Sequence, residues 1–136
     1  MSFWLIKSEP EVWSWAQQVA KGVEPWTGVR NHLAARHLKA MRLGDRAFFY
    51  HSNTGREIVG IVEIVREACP DPTDESGKFV AVDVEAVQPL ARPVTLAALK
   101  SDPFFADFVL IRQSRLSVMP VTPAQWEKIC AMGGAA

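Results

Sequence analysis

The chain has 136 residues, of which 49% are hydrophobic, and its 15 basic and 15 acidic residues cancel to a net charge of zero. This composition is ample for one buried core and excludes a disordered chain, so we expect a single domain over residues 1–136. A protein that holds nucleic acid mainly by counterion release is expected to be basic, so neutrality argues against a broad nonspecific DNA binder. It leaves room for recognition of one base in a pocket.

The N-terminal segment predicts a strand followed by a helix. Residues 3–7 are apolar and β-prone, as in a strand. Ser8 is a plausible N-cap, so we expect a first helix that runs from there to about Lys21 and ends at Gly22. The free N–H groups of that helix start, together with Lys7, would form a site for a phosphate or an electron-rich carbonyl.

The following segments predict a loop, a helix and a hairpin. Pro and Gly at residues 25–28 are typical of a loop, and residues 31–42 carry apolar side chains at helical spacing. Strands are expected at 46–51 and 58–66, joined by a turn at 53–56. Gly60, inside the second of these strands, indicates a bulge or the close approach of another group.

The second half of the chain is assigned by the same rules. We expect a polar loop at 70–77, a long strand at 78–89, short helices at 96–100 and 103–108, an extended segment at 117–121, a last helix capped by Thr122 and a frayed tail at 133–136. Strands and helices mix without a regular βαβ repeat. This order favours an α+β fold, in which a small, curved, mixed sheet closes into a barrel with flanking helices.

Signals for catalysis, metal binding and membrane insertion are missing from the sequence. There is no phosphate-cradling glycine loop, no nucleophile elbow and no paired-histidine motif. Cys69 and Cys130 are too far apart in sequence to suggest a metal site or a disulfide framework. No signal peptide is recognised, and no apolar run approaches the ~20 residues that span a bilayer. We expect a cytoplasmic, monomeric protein with no metal, no cofactor and no membrane partner.

The strongest candidate for a binding site is Trp26. It is followed by a hydroxyl, a guanidinium and an amide, from Thr27, Arg30 and Asn31. Such a set suits a flat ligand with polar edges, for example a nucleobase, because the indole stacks on its face and the polar groups bond to its edge. Gly28 would let backbone approach the ligand. The alternative interpretation of Trp26 is a ring that covers the core.

Further candidates lie elsewhere in the chain. They are Lys7 and Ser8 at the end of the first strand, His51, Ser52 and Asn53 at the start of the hairpin turn, and Arg115 in a late polar cluster. His51 has two interpretations, a residue at a pocket mouth or a side chain that caps the turn.

Several motifs in order resemble the EVE domain family over nearly the whole chain. They include residues 4–10, 26–31, 49–52, 60–62 and 115–118. The resemblance implies a PUA-like fold, related to YTH readers of methylated adenine in RNA and to SRA-type domains that flip a methylated base out of DNA. Trp26 resembles one wall of the YTH aromatic cage.

The resemblance implies a binding module rather than an enzyme. Its ligand would be a modified base, with a modified cytosine flipped out of DNA favoured over RNA. Ser8, Asn31 and Ser52, or backbone groups, would bond to the base edge, while Lys7, Arg30 and Arg115 would hold phosphate or the exocyclic oxygen. Two alternatives stay open. One is a reader of modified RNA, and the other is an amidohydrolase similar to ASCH domains, with Lys7, Ser8 and Glu63 as its reactive set.

Overall fold

The β-prone segments of the chain assemble into one sheet, and the amphipathic segments pack on it as helices. The computed structural model describes residues 1–135. The strands are β1 (Phe3–Ser8), β2 (Val23–Pro25), β3 (Arg46–His51), β4 (Glu57–Pro70), β5 (Val80–Thr95) and β6 (Val118–Val121). The helices are α1 (Trp15–Lys21), α2 (His32–Ala40), α3 (Leu96–Lys100), α4 (Val109–Arg112) and α5 (Pro123–Gly133), with a 3₁₀ turn at Pro103–Phe105.

The sheet is mixed and has the strand order β2-β5-β4-β3-β1-β6. β1 pairs in parallel with β3, and the other neighbours are antiparallel. The predicted α+β, PUA-like fold is confirmed, but the curved sheet stays open instead of closing into a barrel. The edge strands β2 and β6 have three and four residues. Each contains a proline, Pro25 or Pro120, which cannot donate to a further ladder.

The start of the first helix differs from the prediction. Ser8 is the last residue of β1 and pairs with His51, so it does not cap a helix. The N-cap is Ser14, whose hydroxyl accepts from the Gln17 N–H while the Gln17 side chain accepts from the Ser14 N–H. This reciprocal capping box satisfies two free donors, whereas strand pairing already uses the backbone at Ser8. The predicted anion site beside Lys7 therefore has no helix start.

Most other local signals are confirmed. Asn31 and Thr95 cap α2 and α3, and Thr122 caps α5. β4 and β5 run longer than predicted because bulges let them continue through irregular pairing. β2 and α4 were not predicted.

The predicted fraying of the C-terminal tail is wrong for its first residues. Gly133 is the last residue of α5 and is buried against Leu90, and Gly134 is a left-handed C-cap. Ala136 lies outside the described residues. Within residues 1–135, no helix has the length and hydropathy needed to cross a bilayer.

Trp4 belongs to the core. Its ring is buried, and its indole N–H donates to Asp45 at 3.0 Å. Burial alone would raise the pKa of Asp45, but hydrogen bonds from the Arg42 amide, Trp4 and the Ser2 amide outweigh it and lower that pKa. The carboxylate thus ties β1 to the segment that leads into β3.

Gly60 meets both expectations, a bulge and a close approach. The register of β4 against its neighbours shifts beside it, and a Cβ at this position would lie 2.5 Å from the Trp15 ring. That ring is held by an edge contact with Phe49. Gly60 is therefore the position where α1 docks on the sheet.

Gly60→Ala is expected to lower the free energy of unfolding by about 1–3 kcal/mol, because the added methyl overpacks the Trp15 contact. Urea denaturation measures the change. The double variant Gly60→Ala/Trp15→Ala should lose less free energy of unfolding than the two single variants lose in sum, because both substitutions act on one contact. Additive costs would mean that the ring and the glycine do not press on each other.

Candidate functional site

A cavity of about 270 Å³ opens where β1 ends beside the loop that follows β2. We call it the Trp26 cavity. It is lined by Lys7, Ser8, Glu9, Val12, Trp26, Thr27, Gly28, Val29, Arg30 and Ser117. Ligand pockets have volumes of about 300–1,000 Å³, so this one, just below that range, suits one small heterocycle.

Trp26 satisfies both interpretations drawn from the sequence. It is only 8% exposed and packs edge-on against Phe49, with 5.6 Å between ring centroids. It nevertheless lines the cavity, and it is the one aromatic ring among the described lining residues. The remaining apolar surface comes from Val12 and Val29. Val12 is 71% exposed, so its side chain is open to a ligand in the cavity.

The backbone N–H groups of residues 26–28 are all used inside the protein. Trp26 donates to Val82 O at 2.7 Å, Thr27 to Pro25 O at 3.1 Å, and Gly28 to Asp71 Oδ2 at 2.9 Å. At these three residues, hydrogen bonds to a ligand edge must therefore come from side chains or carbonyl groups. Gly28 has a φ of +83° and open space around its missing side chain, so a ligand can approach the backbone here.

Asp71 anchors this loop from 43 residues away. Its buried carboxylate accepts from the Gly28 N–H, from Arg30 Nη1 at 3.0 Å and from both the N–H and the hydroxyl of Thr73 at 2.7 Å. Burial alone would raise the pKa of Asp71, but the bonds from Thr73, Gly28 and Arg30 lower it to about 2. The Arg30 guanidinium also reaches Thr73 Oγ1 and lies over the Phe79 ring.

Lys7 and Ser8 form the opposite side of the cavity. The Ser8 hydroxyl donates to Trp13 O, so its oxygen can still accept a hydrogen bond from a ligand. Lys7 Nζ donates to Ser114 O at 2.8 Å, and burial lowers the pKa of this lysine. The lysine is thus held at the cavity by the chain that precedes β6.

Two more cavities share lining residues with the Trp26 cavity or with each other. The basic cavity, of about 300 Å³, shares Lys7 with the Trp26 cavity and is lined also by Tyr50, Ser52, Asn53, Arg56, Leu96, Lys100, Leu110 and Ser114. The Arg115 cavity, of about 360 Å³, shares Ser114 with the basic cavity. It is lined also by Asn31, Leu33, Arg112, Gln113, Arg115 and Leu116.

The predicted site residues divide among these cavities. Lys7, Ser8, Trp26, Thr27, Gly28 and Arg30 meet at the Trp26 cavity. Ser52 and Asn53 line the basic cavity, and Asn31 and Arg115 line the third. Asn31 Oδ1 is occupied as the cap of α2, which leaves its amide donors free.

His51 lies outside all three cavities. Its Nε2 accepts from the Trp15 N–H at 3.1 Å, so the imidazole holds the start of α1. Burial lowers the pKa of His51, while Glu57 and Glu11 oppose this shift. A neutral ring suits its role as an acceptor.

The reactive set of the amidohydrolase alternative is not assembled. Glu63 pairs in register with Arg46, and Arg46 pairs with Phe3, four residues before Lys7 on β1. Four strand residues span about 13 Å, so Glu63 is too far from Lys7 and Ser8 to act with them. Its carboxylate lies 3.7 Å from Arg46 Nη2 instead.

The sequence prediction missed two functional residues. Glu9 lines the Trp26 cavity directly after Ser8, and its position at the end of a predicted strand was the available signal. Asp71 was placed only in a polar loop, because its bonds to Gly28 and Arg30 span more than 40 residues. Residues 1–135 contain no group of three or more side chains arranged to hold a metal ion.

Comparisons with known proteins agree on one family. The EVE domain family model matches residues 2–132. Human thymocyte nuclear protein 1 is 33% identical over 171 residues, covering 96% of this chain and 73% of that protein. The NMR structure of Rpa0253 from Rhodopseudomonas palustris is 65% identical with a TM-score of 0.94, covering 98% of this chain and 94% of that one.

Two further solved structures are similar to this chain. The crystal structure of human THYN1 in complex with 5-methylcytosine containing DNA has a TM-score of 0.89 at 33% identity, covering 100% of this chain and 99% of that one. An ASCH structure from Zymomonas mobilis has a TM-score of 0.60 at 16% identity, covering 98% and 97%, and shares the fold alone. The match over nearly its whole length places this chain in the EVE domain family.

Proposed function

We propose that this protein is a binding module that takes a modified cytosine, flipped out of DNA, into the Trp26 cavity. The observation that carries the proposal is the cavity itself, in which one indole, aliphatic surface and several polar side chains line an open space the size of one base. The human relative solved with 5-methylcytosine containing DNA supports the choice of ligand, because it shares this fold and a third of this sequence.

The lining matches the hydrogen-bonding edge of cytosine. The amino group at C4 of cytosine is a donor, and a carboxylate is a suitable acceptor for it. Glu9 supplies that carboxylate, and the Ser8 oxygen is a second acceptor. The carbonyl oxygen and N3 need donors, which Lys7 and Arg30 provide. A thymine has no amino group, so Glu9 would discriminate against it.

Stacking and the methyl group supply the rest of the binding energy. Flipping a base costs a few kcal/mol, and stacking on an aromatic ring returns about 1–3 kcal/mol. Val12 and Val29 offer apolar surface to a methyl group at C5. Burial of one methyl group is worth about 0.8 kcal/mol, which corresponds to about a fourfold preference over unmodified cytosine.

The test is a binding titration with four matched fluorescent oligonucleotides: a duplex with one 5-methylcytosine, the same duplex unmodified, and RNA counterparts of both. We expect the methylated DNA to bind most tightly, by at least about fourfold. Preference for the methylated RNA would favour the alternative reader of RNA. Equal binding of modified and unmodified DNA would contradict the proposal.

Glu9→Ala is expected to weaken binding to methylated DNA about fivefold, the value of one net hydrogen bond at an exposed site. Glu127→Ala, which removes an exposed carboxylate on α5 away from the three cavities, is the charge-matched control. The Glu127→Ala variant should leave the affinity for DNA unchanged or raise it slightly, because it removes one negative charge, as Glu9→Ala does. If both variants change the affinity alike, Glu9 acts only through charge and does not contact the base.

A further inference from the structure

The basic cavity concentrates positive charge in a chain that is neutral overall. Its lining includes Lys7, Arg56 and Lys100, and none of its described lining residues is acidic. Ser52 and Asn53 add hydroxyl and amide donors. Three cations around about 300 Å³ repel one another unless an anion lies between them, so the cavity is built for a negatively charged oxygen ligand.

Tyr50 adds a hydroxyl to the wall of this cavity. The residue is only 3% exposed and lines the cavity, and within residues 1–135 Arg46 Nε is the one buried side-chain nitrogen or oxygen without a partner, so the Tyr50 hydroxyl is open to the cavity. Burial raises the pKa of Tyr50, although Arg56 opposes this, so the hydroxyl remains a neutral donor at physiological pH. A tyrosine hydroxyl at the wall of a cavity is a donor for what the cavity holds. An oxygen of an anionic ligand in the cavity would accept its hydrogen bond.

The fold brings these groups together at some conformational cost. Within residues 1–135, Asn53 and Arg56 are the only non-glycine residues with positive φ, at 62° and 48°. The Leu96 N–H donates to Arg56 O at 2.9 Å, which ties the start of α3, and with it Lys100, to the hairpin turn. The turn and α3 therefore present their cations to one cavity.

We propose that the basic cavity binds a phosphodiester group of the DNA strand whose flipped base occupies the Trp26 cavity. This inference rests on the proposed function. Lys7 lines both cavities and is fixed between them by its bond to Ser114 O, so it can contact base and phosphate of one nucleotide. The phosphate contact would position the strand, whereas the Trp26 cavity would read the base.

The test compares the double variant Arg56→Gln/Lys100→Gln with the double variant Lys39→Gln/Arg66→Gln. Both remove two positive charges from exposed side chains, but Lys39 and Arg66 line none of the cavities described above. The dissociation constant for the methylated and unmodified duplexes is measured over a series of salt concentrations, and thermal melting confirms that each variant is folded.

We expect Arg56→Gln/Lys100→Gln to reduce the slope of log affinity against log salt by about one, the value of one lost phosphate contact. The ratio of affinities for methylated and unmodified DNA should stay as in the wild type. The control variant should keep the wild-type slope. A slope equal in the two variants, or a lost methyl preference with an unchanged slope, would overturn the inference.

A second measurement separates this inference from the proposed function. Inorganic phosphate is titrated into the wild-type protein, and amide chemical shifts are followed by NMR. Localised shifts at Ser52, Asn53 and Lys100 support an anion site, even if no DNA binds and the proposed function fails. Absence of such shifts, together with absence of DNA binding, would contradict both this inference and the proposed function.

Discussion

Trp26→Ala is expected to weaken binding to DNA that carries 5-methylcytosine by about 5- to 150-fold, because base stacking on an aromatic ring is worth about 1–3 kcal/mol. The same change is expected to cost about 3–5 kcal/mol of folding stability, since the indole is also packed on Phe49. Binding is therefore measured by fluorescence polarisation well below the melting temperature of the variant, with circular dichroism as the check of folding.

Phe49→Leu is the matched control for this effect. Phe49 packs against Trp26 but does not line the cavity, so its replacement loosens the same part of the core and leaves the indole in place. We expect this variant to lose stability while keeping most of its affinity. If Trp26→Ala is folded and binds as tightly as the wild type, the base does not occupy the Trp26 cavity.

Asp71→Ala is expected to lower the free energy of unfolding by about 3 kcal/mol. Breaking a buried ion pair costs ~3–5 kcal/mol, and the lower end applies because the remaining partner, Arg30, is 41% exposed. The Gly28 N–H also loses its acceptor, so the Trp26 loop should loosen and affinity for DNA should fall with stability. Asp107→Ala, at an exposed carboxylate, should change stability by less than about 0.5 kcal/mol.

The pH dependence of stability gives a second check on Asp71. Its pKa in the folded protein is about 2, below the ordinary value of 3.8. Folding therefore favours the charged carboxylate, and this contribution, about 2 kcal/mol, is present above about pH 4 and is lost as the pH falls toward 2. Urea unfolding between pH 2 and 7 should show a smaller acid loss in Asp71→Asn than in the wild type. An identical acid profile would mean that other carboxylates cause the loss.

Under the proposed function, the size of the Trp26 cavity would limit what the protein can read. A space of about 270 Å³ accommodates one heterocycle, so recognition of sequence context beyond one flipped base would need contacts outside the cavity. The zero net charge of the chain is consistent with such a division between the base in the Trp26 cavity and contacts outside it. Overall electrostatic attraction to DNA would be weak, and the affinity would depend on a few cations at the basic cavity and on the base itself.

Local chemistry made the caps and turns predictable. Asn31, Thr95 and Thr122 are residue types that favour helix starts, and each accepts a hydrogen bond from an N–H only three residues away. Gly60 was recognised as a bulge or a contact because a glycine within a strand is costly without such a reason. The prediction of Ser8 as a cap failed for the opposite reason, since parallel pairing with a strand 43 residues later decides the conformation of its backbone.

The sequence alone determined the fold class, the position of most helices, the family and the loop that presents Trp26, because hydrophobic periodicity, local capping and motif order are local properties of the chain. Only the tertiary structure decided which polar groups share a cavity. Lys7 lies between two cavities because Ser114 accepts its hydrogen bond, and the Trp26 loop is rigid because Asp71 accepts from Gly28 and Arg30. These contacts join residues 41 to 107 positions apart, and no local pattern specifies them.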